Sequence, residues 1–175
     1  MPLPVAHGLL GASIIAAVHP RLTKRHAMPL LVGALLANAA DLDFLLVFGL
    51  HSRSWHRGFT HSLMFALVVC LVIAASLGRR RIRESLAYGL AFTSHALLDY
   101  ATTKEGGGLE LLWPFSTDRL ALGWLGLSEL PSRLPAMSIL KAMLVELILF
   151  TPLFLLSMYL RKHTWKAAST TQGAA

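Results

Sequence analysis

The chain has 175 residues, of which 55% are hydrophobic and 14% are charged. This balance excludes a disordered chain, and several apolar runs approach the roughly 20 residues that a helix needs to cross a hydrocarbon core. The formal net charge is +7, from 16 Lys and Arg against 9 Asp and Glu, which in a soluble protein would suggest a nucleic-acid partner. The composition instead predicts an all-α integral membrane protein.

The basic residues are concentrated in short clusters that follow the first, third and last apolar runs. Loops rich in Lys and Arg stay in the cytoplasm, so the clusters predict a multi-pass protein with its N-terminus outside and its C-terminus in the cytoplasm. Because topology accounts for the charge, we expect no nucleic-acid partner. The clusters are Arg21, Lys24 and Arg25; Arg79, Arg80, Arg81 and Arg83; and Arg161, Lys162 and Lys166.

Five apolar segments are predicted to be helices, because a spanning strand needs only about 10 residues and shows an alternation that is absent here. The first covers about 21 Å at 1.5 Å per residue, so it is tilted, re-entrant or only partly inserted. The prediction is a polytopic helix bundle in a single domain over residues 1–166, followed by a flexible tail over residues 167–175. The segments are residues 5–18, 28–50, 62–78, 85–101 and 136–160.

Seven ionisable side chains lie inside these runs or in the residues that precede them. Such a group costs at least a few kcal/mol in lipid unless it is paired, hydrated or bound to a metal. When the helices alternate in direction, all seven fall at one depth near the outer face. Imidazole and carboxylate are ligands of Zn²⁺ and similar ions, so the convergence predicts a metal site between helices. The seven are His7, Asp41, Asp43, His56, His61, His95 and Asp99.

Residue spacing limits which of these groups can share one ion. His95 and Asp99 are four residues apart and therefore share a helical face. Asp41 and Asp43 are two residues apart and do not share a face on a regular helix. Either one is a ligand and the other orients it, or residues 38–43 are locally unwound around a cavity.

The candidate roles follow from these positions. Asp43 and His56 are second-centre ligands or orienting groups. Arg57 either pairs with a phosphate oxygen of a substrate or anchors the helix end at the headgroup layer. Thr60 and Ser62 are expected to cap the following helix. The expected metal is a divalent ion, and zinc is the first candidate. Its expected ligands are His7, Asp41, His61, His95 and Asp99.

Five motifs stand out in the sequence: His7, NAADLD at 38–43, HRGFTHS at 56–62, HALLD at 95–99 and WPFS at 113–116. They resemble those of the YdjM-type inner-membrane proteins, a family described as membrane-bound metal-dependent hydrolases. Ala40 departs from the family pattern, which usually has proline there. The resemblance implies a bacterial inner-membrane location and metal-dependent hydrolysis. The family is in turn similar in motif order to the zinc-dependent phospholipase C and P1 nuclease group, which implies cleavage of phosphate esters.

Two functions are consistent with the sequence. The first is a hydrolase at the outer interface that acts on a phosphate ester or a lipid-linked substrate, with membrane lipid as its partner. The alternative is a non-enzymatic metal or proton transporter, or a metal-stabilised scaffold, to which Glu146 deep in the last run adds support. A transporter needs polar groups through the whole membrane depth, and the inner halves of the third and fourth runs have almost none.

Overall fold

A computed structural model describes residues 2–20, 27–104, 107–124 and 136–172. Helices account for most of the backbone in these ranges, so the predicted all-α class is confirmed. The α-helices are α1 (Pro4–Val18), α2 (Met28–Leu36), α3 (Phe44–Leu50), α4 (Leu63–Leu77), α5 (Ile82–Thr102) and α6 (Ala136–Gln172).

The second apolar run is broken in the middle. After α2 the chain makes a 3₁₀ turn over Ala39–Asp43 and continues as α3, and the two halves meet at a bend of 49°. The break forms although Ala40 stands where the family that the sequence resembles usually has proline. Residues 38–43 are therefore locally unwound, as one of the two alternatives predicted. A second bend of 56° separates the short turns over Arg53–His61 from α4.

In the part of the chain that the structure describes, fewer than five helices are long and apolar enough to count as membrane spans. Within the described ranges, one helix segment, Met137–His163 of α6, is long and apolar enough to cross a membrane by itself, and counting each bent pair as one span raises the number to three. Helix α1 has 15 residues and is short, as predicted. Five full crossings therefore stay a prediction. The flexible tail over residues 167–175 also stays a prediction. In the structure, the backbone of residues 167–172 continues α6.

Helix α1 packs against α2, α5 and α6. Two glycines set how closely it approaches α2. A Cβ atom built on Gly33 would lie 2.2 Å from Cγ1 of Ile15, and one on Gly11 would lie 2.5 Å from Cβ of Ala37. Small residues allow membrane helices to approach at backbone distance. This crossing therefore requires glycine at both positions.

We expect Gly33→Ala to lower the free energy of unfolding by about 1–3 kcal/mol, because overpacking forces the two helices apart. Thermal unfolding in detergent measures the effect. Gly49→Ala is the matched control, since no atom lies within 4 Å of a Cβ built on Gly49 and alanine favours helix. Equal stability of the two variants would contradict the packing argument.

The irregular backbone segments lie at one end of the helix bundle. The first turn of α1, the break between α2 and α3, the turns before α4 and the last turns of α5 all lie there, as the contacts between their side chains show. These are the segments that carry the seven ionisable residues of the predicted metal site.

Candidate metal centre

The structure brings all five expected ligands together. His7 comes from the start of α1, Asp41 from the 3₁₀ turn after α2, and His61 from the turn before α4. His95 and Asp99 stand one turn apart near the end of α5. Ligand atoms of His7, His95 and Asp99 lie within 4.8 Å of one another, and so do those of Asp41, His61 and His95. The two groups share His95 and therefore adjoin each other, and together they make up the candidate centre.

Three ligand atoms define the middle of the centre. Nε2 of His61 lies 3.0 Å from Nε2 of His95, and Oδ1 of Asp41 lies 3.6 Å and 3.4 Å from these two nitrogens. In a tetrahedral zinc site with bonds of about 2.0–2.1 Å, neighbouring ligand atoms are about 3.3 Å apart. The separations of these three atoms therefore match those of a metal site. Oδ2 of Asp99 is more distant, at 3.8 Å from His61 and 3.9 Å from His95.

The hydrogen bonds made by Nδ1 of His61 and by Nδ1 of His95 determine which atom of each ring faces the centre. Nδ1 of His95 lies 2.7 Å from the carbonyl oxygen of Ala37, which can only accept, so Nδ1 is the donor. The hydroxyl of Thr60 donates to Asp43 and therefore accepts from Nδ1 of His61, at 3.0 Å. In the neutral rings, each Nε2 then directs a lone pair towards the centre.

The centre is rich in acceptors. Within the described part of the chain, Oδ1 of Asp41, both carboxylate oxygens of Asp99 and both ring nitrogens of His7 are buried without a hydrogen-bond partner. Nε2 of His7 lies 3.4 Å from Oδ1 of Asp99, and its ring stacks on His95 with the centroids 3.9 Å apart. Buried polar atoms are normally paired, so carboxylate oxygens and an imidazole lone pair that converge without a hydrogen-bond partner fit a divalent cation between them.

Asp43 has a different environment from Asp41. Its Oδ1 lies 3.0 Å from Nδ1 of His56, and its Oδ2 accepts the Arg57 backbone N–H at 2.8 Å and the Thr60 hydroxyl at 3.2 Å. Asp41, Asp43 and His56 also form a group within 4.8 Å, as a second centre would require. Because hydrogen bonds already occupy both oxygens of Asp43, the geometry favours an orienting role for this residue.

Arg57 lies at the edge of the centre. Its side chain is only 7% exposed, and its Nε lies 3.8 Å from Oδ2 of Asp99. Its backbone φ of 58° is in the left-handed region, which costs a residue with a side chain on the order of 1–3 kcal/mol. Hydrogen bonds from its N–H to Asp43 and from the N–H of Glu110 to its carbonyl offset this cost. Such strain is common where a side chain is held for function.

Two contacts were not anticipated from the sequence. Ser62 caps α4 as predicted, by accepting the N–H of Phe65, but the prediction for Thr60 is wrong because its hydroxyl bonds to Asp43 and His61. The N–H of Glu110, in the loop after α5, holds the Arg57 carbonyl at 3.0 Å. Thr60 could have been suspected from its place beside His61, whereas no spacing signal points to Glu110.

Comparison with known proteins adds the following. The family model for YdjM inner membrane protein matches residues 1–167, a range that includes all eight predicted site residues. Inner membrane protein YbcI of Escherichia coli (strain K12) is 39% identical over 131 residues, which are 70% of this chain and 69% of that protein. No solved structure matches the chain. The more distant similarity to phospholipase C and P1 nuclease stays a prediction.

Proposed function

The chain belongs to the YdjM inner membrane protein family, and from the geometry of its candidate centre we propose that it is a metal-dependent hydrolase of the membrane. The observation that carries the proposal is the pair of Nε2 atoms of His61 and His95, which face each other at 3.0 Å. Both rings donate through Nδ1, so two lone pairs and the Asp41 carboxylate converge on one point. A cation is the simplest group that stabilises this arrangement.

The residues that would hold the ion come from the five that were expected. Zinc fits a set of imidazole and carboxylate ligands, and a catalytic zinc site needs three protein ligands with one position open. His61, His95 and Asp41 supply the three ligand atoms that lie closest to one another, and His7 and Asp99 lie around them. A divalent ion bound here would polarise a scissile phosphoryl group and lower the pKa of a water molecule.

The chain's own residues would bind and orient the substrate. The Arg57 guanidinium can pair with a phosphate oxygen beside the centre, and charge-assisted hydrogen bonds of this kind are short and strong. Asp43 holds the Arg57 backbone and contacts Nδ1 of His56. That contact makes Nε2 of His56 the proton-accepting atom of the ring, and the His56 side chain is 19% exposed. His56 is therefore suited to general acid–base catalysis at the edge of the site.

The surroundings of the centre favour an amphipathic substrate. Exposed apolar side chains follow directly on the ligand Asp41 along the 3₁₀ turn and α3, namely Leu42, Leu45 and Phe48. In a membrane these side chains contact acyl chains, next to a site that is suited to a phosphate. We propose a phosphate ester with a lipid portion, or a lipid-linked intermediate, as the substrate class.

The transporter alternative requires a polar path through the bundle, and the packing of α5 does not favour one. Ala87 and Ala91 lie on the same face of α5 as His95 and nearer the other end of the helix. They form an apolar cluster with Ile15 of α1, in which all three side chains are buried. This cluster places apolar side chains on that face of α5 below the centre, which supports a site that opens to one side.

The test is metal analysis of the purified protein combined with a panel of phosphate-ester and lipid substrates. We expect a bound divalent ion and hydrolysis that chelation removes and zinc restores. Correctly folded protein without affinity for divalent ions would contradict the proposal. Metal flux into proteoliposomes without any hydrolysis would favour the transporter.

The proposed orientation has its own test. A reporter fused after Lys166 is expected to read as cytoplasmic, because the basic clusters stay inside. A second fusion after Trp124, between α5 and α6, is expected to read as periplasmic. The opposite pair of readings would invert the topology and place the centre at the cytoplasmic face.

A further inference from the structure

Glu146 is a carboxylate in the apolar helix α6, and it is only 2% exposed. Burying a carboxylate in a membrane protein is costly unless hydrogen bonds or charges compensate it. Its two oxygens accept the backbone N–H groups of Leu3 and Ala6, the latter at 3.1 Å. Glu146 therefore binds the beginning of α1, 140 residues earlier in the chain.

The start of α1 lacks a cap of its own. Its N-cap residue is Leu3, whose side chain makes no capping hydrogen bond, and Pro4 follows at the first helical position. The first N–H groups of a helix need acceptors, usually a Ser, Thr, Asp or Asn side chain at the N-cap. A carboxylate from another helix supplies the acceptor here, and its negative charge also suits the positive end of the helix dipole.

The capped turn leads directly into the metal centre. His7 follows Ala6, is fully buried, stacks on His95 and lies 3.4 Å from Asp99. Neither of its ring nitrogens has a hydrogen-bond partner among the described residues. The contacts of the His7 ring are the stacking on His95 and the 3.4 Å approach to Asp99, and the position of the first turn of α1 sets whether the ring reaches both.

We propose that Glu146 is a positioning residue, whose carboxylate caps α1 and thereby holds His7 in the centre. The link to metal binding rests on the proposed function, whereas the cap does not. Glu146 lies outside all of the sequence motifs, on α6 and about 50 residues beyond the last ligand on α5.

The cap is tested in metal-free, full-length protein in detergent by amide hydrogen exchange at Leu3 and Ala6. We expect exchange to become about fivefold faster or more in Glu146→Ala. Glu146→Gln keeps one carbonyl acceptor, so its exchange should be intermediate. Lys141→Gln, an exposed change on the same helix, is the control and should leave both amides unchanged. Unchanged exchange in Glu146→Ala would overturn the proposal.

The link to the centre is tested by Co²⁺ affinity in a double-mutant cycle. Glu146→Ala should weaken binding about 10- to 100-fold, as removing an orienting partner does, and Glu146→Gln should recover part of the loss. In a His7→Ala background, Glu146→Ala should cause no further loss, because its effect passes through His7. Additive losses would instead show a general structural role and overturn the link.

The outcomes separate this proposal from the proposed function. Tight Co²⁺ binding by both the original protein and Glu146→Ala would overturn the role of Glu146 and leave the metal centre standing. An original protein that binds no Co²⁺ would overturn the metal centre and the link to His7. In either case, the exchange rates of the Leu3 and Ala6 amides show whether Glu146 caps α1.

Discussion

Replacement of His95 by alanine is expected to abolish metal retention and hydrolysis together. His95 belongs to both groups of converging ligand atoms, and its Nε2 is the nearest partner of His61 and Asp41. Losing an orienting group around a metal costs 10- to 100-fold in affinity, so losing a ligand is expected to cost more than about 100-fold. Bound metal per protein, measured by elemental analysis, and hydrolysis of the best ester are the two measurements.

The variant must still fold for this result to count. Alanine leaves the carbonyl of Ala37 without its donor, at a cost of about 1–3 kcal/mol. Asp99→Asn is therefore a useful companion, because it keeps the shape of the side chain and removes the charge. His163→Ala, an exposed change on α6, is the control and should retain both metal and activity. Full metal occupancy in His95→Ala would show that the centre lies elsewhere.

Replacement of Arg57 by glutamine is expected to lower hydrolysis about 10²- to 10³-fold and leave the metal content unchanged. This is the usual cost of removing one donor that stabilises developing charge in a transition state. The metal content is expected to stay unchanged because the guanidinium lies beside Asp99 but is itself a cation and does not bind the metal. Glutamine has the same backbone restriction as arginine at a positive φ, so the strain at this position is retained.

The control for Arg57→Gln is Arg53→Gln, an exposed arginine four residues earlier in the same loop. It should keep its activity. Loss of the metal in Arg57→Gln, in parallel with loss of hydrolysis, would mean that Arg57 acts as a structural anchor of the loop. That is the alternative interpretation of its place at the helix end.

The set of candidate ligands could be predicted from the sequence because it depends on local properties. Apolar runs of nearly membrane length predict helices, and helices that alternate in direction place His7, His61 and His95 at one depth. The four-residue spacing of His95 and Asp99 puts both on one face of α5. These inferences need no knowledge of how the helices pack. That these residues bind a metal stays a prediction.

The roles within the set could not be predicted in the same way. Asp41 and Asp43 are equivalent by spacing, and they differ only because a 3₁₀ turn directs one towards the histidines and the other towards Arg57 and Thr60. The five predicted crossings are not confirmed either: a bend of 49° divides the second apolar run, and a bend of 56° lies at the start of the third.

The sequence by itself determined the helical class, the membrane environment and the residue types available to a metal, because hydrophobicity and helical periodicity act over one or two turns. Only the tertiary structure decided which nitrogen of each histidine faces the centre, which aspartate orients the loop, and that Glu146 of α6 caps α1. Those outcomes depend on hydrogen bonds between residues far apart in the chain, such as His95 with Ala37 and Glu146 with Ala6. Such bonds form only after the helices have packed.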